Sequence, residues 1–247
     1  MILMDKPIKT ESKDHMRFAD FHGDVNIGLF GILTEKYAVL PDESIDAKFL
    51  IDTVAYTTIA GTPLCGLFLA GNSNGLIVPQ TITERELSVL KKALKGVSIL
   101  KIESKYNAIG NLILCNDKGA IISPLLSGFA DAISKCLKVD VSVGSMLELD
   151  IVGALGVATK KGFLLDMYVG ESEFDFVSKS LGVKGDIGTI NFGSEFVKSG
   201  ILANSKGVLV GSATTGPETA RIDEALGFLV QKRTKKPRTS EAKRTDF

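Results

Sequence analysis

Five times along this chain the same order recurs: an apolar strand, a tight polar turn, a second apolar strand, then a helix-start signal. The second strands read Ala38-Val39-Leu40, Leu76-Ile77-Val78, Ala120-Ile121-Ile122, Phe163-Leu164-Leu165 and Val208-Leu209-Val210. Residues closing the turns stand at 37, 75, 119, 162 and 207, a spacing of 38 to 45. In the first four copies a glycine lies nine residues before the closing residue: Gly28, Gly66, Gly110 and Gly153. In the fifth, the nearest upstream glycine is Gly200, only seven before Gly207. A unit this short cannot bury its own apolar face, so the copies must pack on one another. The expectation is one α/β domain over residues 25–229, flanked by an irregular extension at 1–24 and a basic flexible tail at 230–247. No copy is a polar cap, and closure removes unpaired strand edges. A closed five-fold pseudosymmetric α/β propeller follows as the expected architecture.

Helix signals fall in phase with the strands. Thr83-Glu84-Arg85-Glu86 has the spacing of a capping box, with Ile82 and Leu87 placed as a hydrophobic staple. Leu87, Leu90 and Leu94 then share one helical face, and Gly96 ends it. Similar signals predict helices opening at Ser44, Ser127, Ser172 and near Pro217. The turns Asn72-Ser73-Asn74-Gly75, Asn116-Asp117-Lys118-Gly119, Thr159-Lys160-Lys161-Gly162 and Asn204-Ser205-Lys206-Gly207 mark hairpins.

Of the 247 residues, 45% are hydrophobic, enough for a substantial core. No apolar run approaches the ~20 residues of a membrane span, and the N-terminus has no signal-peptide core, so a cytoplasmic protein is expected. Cys65, Cys115 and Cys136 are odd in number, lack CxxC spacing and sit in apolar context. They read as reduced core thiols. Net charge is zero, yet Lys232–Phe247 holds seven Lys/Arg against Glu241 and Asp246, a net of +5 that leaves −5 elsewhere. A mildly acidic body disfavours a groove that tracks phosphates.

Catalytic chemistry finds little support. The only histidines, His15 and His22, precede the repeats, so no Ser-His-Asp or Cys-His arrangement and no His-containing zinc site can be built from the repeats alone. Asp46, Asp52, Glu84, Glu86, Asp223 and Glu224 read as solvated helix faces; Glu148 and Asp150 are less easily dismissed. The Gly182–Gly193 stretch lacks the GK[ST] of a phosphate loop. With no Trp and four Tyr, no stacking platform for single strands is visible. Cofactors and metals are expected to be absent.

Four blocks then carry a resemblance. Gly71-Asn72-Ser73-Asn74-Gly75-Leu76-Ile77-Val78-Pro79, Asn107-Ala108-Ile109-Gly110-Asn111, Gly188-Thr189-Ile190-Asn191-Phe192-Gly193-Ser194 and Ala203-Asn204-Ser205-Lys206-Gly207 through Glu218 resemble the archaeal and eukaryotic translation initiation factor 6 family. The resemblance runs from about Val25 to Phe228. It implies the pentein fold and a non-enzymatic monomer that binds the large ribosomal subunit, prevents joining of the small one and acts in large-subunit biogenesis. The implied partner is ribosomal protein uL14 near the sarcin–ricin loop, with no DNA and no membrane. Matching motifs put ribosome-binding positions at Gly28, Leu67 and Asn111, with Asn72 added from the adjacent turn. Asp166-Met167 stands where members often carry His-Pro, and the N-terminal extension is longer than usual. Two alternatives remain open: a ribonucleic acid-binding chaperone acting through the basic tail, and a guanidine-modifying pentein enzyme using Cys65 or Cys115.

Overall fold

The computed structural model describes residues 15–229; the basic tail and the first part of the extension lie outside them. The fold is mixed α/β, with five separate three-stranded sheets. The strands are β1 (Met16–Ala19), β2 (Ile32–Leu33), β3 (Ala38–Leu40), β4 (Val54–Tyr56), β5 (Ala70–Gly71), β6 (Gly75–Pro79), β7 (Ser98–Ile102) and β8 (Ile113–Cys115), followed by β9 (Gly119–Ile122), β10 (Asp140–Val143), β11 (Gly156–Ala158), β12 (Gly162–Asp166), β13 (Lys184–Gly188), β14 (Ile201–Asn204) and β15 (Gly207–Gly211). Helices are α1 (Ile27–Phe30), α2 (Cys65–Phe68), α3 (Glu84–Ala93), α4 (Ile109–Leu112), α5 (Ala130–Leu137), α6 (Glu171–Leu181) and α7 (Gly216–Ala225), with 3-10 turns at Pro124–Phe129 and Val197–Gly200.

Each central strand is one of the five apolar runs. It pairs antiparallel with its hairpin partner and parallel with a third strand. In units one to four the third strand comes later in the same unit. In unit five it is β1, running parallel to β15 from Met16↔Val208 to Ala19↔Gly211. Residues 16–24, expected to be irregular, therefore contain a strand. No strand follows α7 among the described residues, so β15 would otherwise offer an unpaired edge, and four N-terminal residues fill it.

Of the glycines nine residues before the turn-closing positions, Gly28, Gly66 and Gly110 lie not in strands but within single helical turns that precede the hairpins, α1, α2 and α4. The helix expected from Ser44 is absent. Asp42 and Asp46 side chains accept from the Ser44 and Lys48 amides, holding 42–48 in local turns, while Ile45 and Leu50 are still buried. The third helix does not open at Ser127: Ser123 caps a 3-10 turn with Pro124 in its first position, and α5 follows from Ala130. Thr83 caps α3 with the full box, and α7 starts behind Thr215.

Five buried clusters each draw on two units. Val39 and Ala55 of unit one meet Leu76 and Leu90 of unit two. Ile77 and Ile102 meet Ile122 and Ile133 of unit three. Leu114 and Ile121 meet Phe163 and Val177 of unit four. Leu164 meets Val197 and Ile222 of unit five, and Leu202 and Leu209 meet Leu40 and Ile45 of unit one. Burying a Val, Leu, Ile or Phe side chain contributes about 1.5–3 kcal/mol, and because every cluster takes residues from two units, part of that stability depends on neighbouring units staying packed.

Candidate docking site

The hairpin turns and the helical turns lie at opposite ends of the central strands. At the hairpin end, polar side chains are spent on internal ties. Asn72 is 1% exposed. Its Oδ1 accepts from the Asn74 and Gly75 amides, and its Nδ2 donates to the carbonyls of Asn116 and Leu137 in the next unit. Asn116 repeats this toward Thr159 and Leu181, and Asn204 toward Thr34 and Leu50. The Glu35 carboxylate accepts from the Ser205 amide and hydroxyl.

The helical-turn end is different. A pocket of about 410 Å³ opens there, lined by Asn26, Gly66, Asn111, Phe196, Lys198 and Ser199 among others. Asn111 is half-buried, and no hydrogen bond among the described residues engages its side chain. Its carbonyl accepts from the Gly153 amide, so the backbone is fixed while the amide side chain is free for a partner. Leu67 is half-buried in the neighbouring α2. Gly28 is buried, and a Cβ there would lie 1.9 Å from the Lys198 carbonyl oxygen, which makes it a packing residue. The structure thus groups Leu67 and Asn111 at one end, with Gly28 beneath them, and leaves Asn72 at the other.

Apolar side chains rim this end. Phe192 is 83% exposed at the tip of the 190–194 turn, with Phe196 and Leu149 also exposed. Such turns are held from behind by two carboxylates, Glu218 and Glu86, of which sequence reading had assigned Glu86 to a solvated face. Glu218 in α7 accepts from the Thr189 hydroxyl and the Phe192 and Gly193 amides while closing the Thr215 cap. Glu86 does the same in unit two for Thr58, Ala60, Gly61 and Thr83. Burial raises both carboxyl pKa values, but the converging donors outweigh it and leave both below the ordinary value. The capping spacing was legible; the second use of each carboxylate was not. Asp223 is also fully buried, accepting from His15 Nε2 at 2.9 Å. Glu148 and Asp150 are exposed, and Asp150 accepts from the Ser145 hydroxyl.

Nucleophilic chemistry is not prepared. All three cysteines are free thiols, and burial pushes Cys65 and Cys115 up to about 12, far from thiolate formation at neutral pH. No group of three or more His, Cys, Asp or Glu could hold a metal among the described residues.

Comparison with known proteins places the chain in a family. The eIF-6 family model matches residues 16–225. The chain belongs to the eIF-6 family. Translation initiation factor 6 of Saccharolobus solfataricus is 40% identical over 214 residues, covering 83% of this chain and 96% of its own. The Methanosarcina mazei protein of that name is 36% identical over 226 residues, covering 87% and 99%. That of Pyrococcus horikoshii is 35% identical over 226 residues, covering 87% and 100%. eIF-6 relatives are named as translation initiation factors, not enzymes. The family match begins at Met16, the first residue of β1, so the strand that completes unit five belongs to the eIF-6 fold. No helix among the described residues is long and apolar enough to cross a membrane.

Proposed function

We propose that the five units close into a ring of the pentein type, and that this ring is a monomeric cytoplasmic factor that docks on the large ribosomal subunit. Docked there, it excludes the small subunit by volume and takes part in large-subunit biogenesis. Contacts from unit five back to unit one support closure: Leu202 and Leu209 pack on Leu40 and Ile45, and Asn204 donates to unit-one carbonyls. The body acting as one domain runs from Met16 rather than from residue 25, since β1 is part of it.

The observation that carries the docking reading is the uncommitted Asn111 amide beside half-buried Leu67, at a pocket whose lining includes the exposed Phe196. A side-chain amide offers two donors and an acceptor to a partner backbone. The partner taken from the family resemblance is ribosomal protein uL14 near the sarcin–ricin loop. Asn72 drops out of the contact set because its amide is already used. Exclusion by occupancy needs no cofactor and no reacting group.

The test is co-sedimentation of the protein with purified large subunits, beside a truncation after Val230. The docking reading predicts saturable binding that the truncation retains. Loss of binding on truncation, with a large drop in salt sensitivity, would instead favour a ribonucleic acid-binding chaperone acting through the tail.

A further inference from the structure

We propose that Lys198 is a positioning residue for the docking end, a tie from unit five that fixes the two helical turns carrying Leu67 and Asn111. The name docking end rests on the function proposed above; the tie itself does not.

Lys198 stands nine residues before Gly207, the spacing at which the other units carry Gly28, Gly66, Gly110 and Gly153. Those four positions require glycine, because each packs against a carbonyl of the preceding unit. A Cβ at Gly28 would lie 1.9 Å from the Lys198 oxygen, and one at Gly66 2.0 Å from the Gly28 oxygen. At Gly110 it would lie 2.0 Å from the Gly66 oxygen, and at Gly153 2.3 Å from the Gly110 oxygen. Only in unit five does this position carry a side chain. The unusual seven-residue spacing from Gly200 is the sequence trace of that substitution.

The lysine side chain runs inward. Its Nζ donates to the Gly66 carbonyl at 3.1 Å and to the Gly110 carbonyl. These belong to α2 and α4, in units two and three, whereas the apolar clusters join unit five to units four and one. The ammonium therefore bridges across the middle of the assembly. Each accepting peptide immediately precedes a docking residue: Gly66 precedes Leu67, and Gly110 precedes Asn111. Lys198 also lines both the 410 Å³ pocket and a second pocket of about 70 Å³. Two donors in fixed geometry set the relative position of two turns in a way that an apolar filler of equal length cannot.

The experiment compares wild type with Lys198→Met, which keeps the length and loses the donors. Amide hydrogen exchange, read residue by residue in two-dimensional NMR spectra, is expected to accelerate at least tenfold in Cys65–Phe68 and Ile109–Leu112 while α3 and α7 are unchanged. Affinity for purified large subunits is expected to fall at least fivefold. In Lys198→Ala, added n-propylammonium restores protection in both turns and 1-propanol does not. Should Lys198→Met fail to fold, Lys198→Gly, which matches the other four units, serves the same comparison. Unchanged exchange in the two turns overturns the tie whether or not the protein binds subunits. Faster exchange with unaltered affinity overturns the positioning role. A wild type that binds no large subunit overturns the docking reading, and the exchange data then decide the tie by themselves.

Discussion

The Lys198 ammonium and the Gly66 carbonyl oxygen are 3.1 Å apart although 132 residues separate them in sequence. Among the described residues no carboxylate is hydrogen-bonded to that ammonium; the Gly66 and Gly110 carbonyl oxygens hold it. Burial without a counter-ion lowers its pKa to about 8, from 10.5. In that interval the unfolded chain binds the proton and the folded chain does not, so stability rises as pH increases from about 8 toward 10.5. Neighbouring Cys115, pushed up to about 12, stays protonated there. Denaturant unfolding at pH 7.5 and 10 should show a gain of up to about 3 kcal/mol in wild type relative to Lys198→Met. Equal pH dependence in both proteins would contradict the buried ammonium.

Glu218 gives the opposite sign. Its folded pKa lies below the ordinary 4.5, so its contribution is present above that value and lost as pH falls through the lowered one. Glu218→Gln places amide hydrogens toward N–H and O–H donors from Thr189, Phe192, Gly193 and Thr215. We expect a loss of about 2–3 kcal/mol at pH 7 and a flatter stability profile between pH 5 and 3. Thermal unfolding across that range measures both.

Gly207 tests the N-terminal strand. A Cβ there would lie 2.2 Å from the His15 carbonyl oxygen, which accepts from the Val208 amide at 2.7 Å. Gly207→Ala should push β1 off β15 and lower the melting temperature by several degrees, about 2–4 °C per kcal/mol at this size. Limited proteolysis should then cut near Met16–Ala19. An unaltered melting temperature would argue that β1 contributes nothing.

The two asparagines separate binding from stability. Asn111→Ser should weaken large-subunit binding by about 1 kcal/mol or more while the melting temperature stays nearly constant. Asn72→Ala removes two accepted and two donated hydrogen bonds. It should cost about 2 kcal/mol or more of stability. Isothermal binding and calorimetric unfolding of both variants read the contrast.

What was legible in the chain was local. Central strands such as Leu76-Ile77-Val78, the Gly-closed turns and the Thr83–Glu86 cap announce themselves within a few residues, and the five copies reinforce one another. What was hidden depends on distant partners. Met16–Ala19 is a strand only because β15 needs a neighbour. Ser44 looked like a helix start, but Asp42 and Asp46 capture the amides that a helix would use. Glu86 and Glu218 have surface spacing on a helix, and only folding brings the turn amides to them. Lys198 hid behind an alignment on Gly200. Asn111 was proposed from its family motif, and Asn72 was proposed with it because its turn resembles a surface loop, whereas its side chain faces inward.

The central claim is exclusion of the small subunit by a docked ring, and subunit joining measures it directly. Purified large and small ribosomal subunits are mixed under associating conditions with increasing protein, and the products are resolved by sucrose-gradient sedimentation. The account predicts a saturable loss of joined ribosomes, with the protein migrating on the free large subunit, and a weaker effect for Asn111→Ser. Undiminished joining at saturating protein would contradict it.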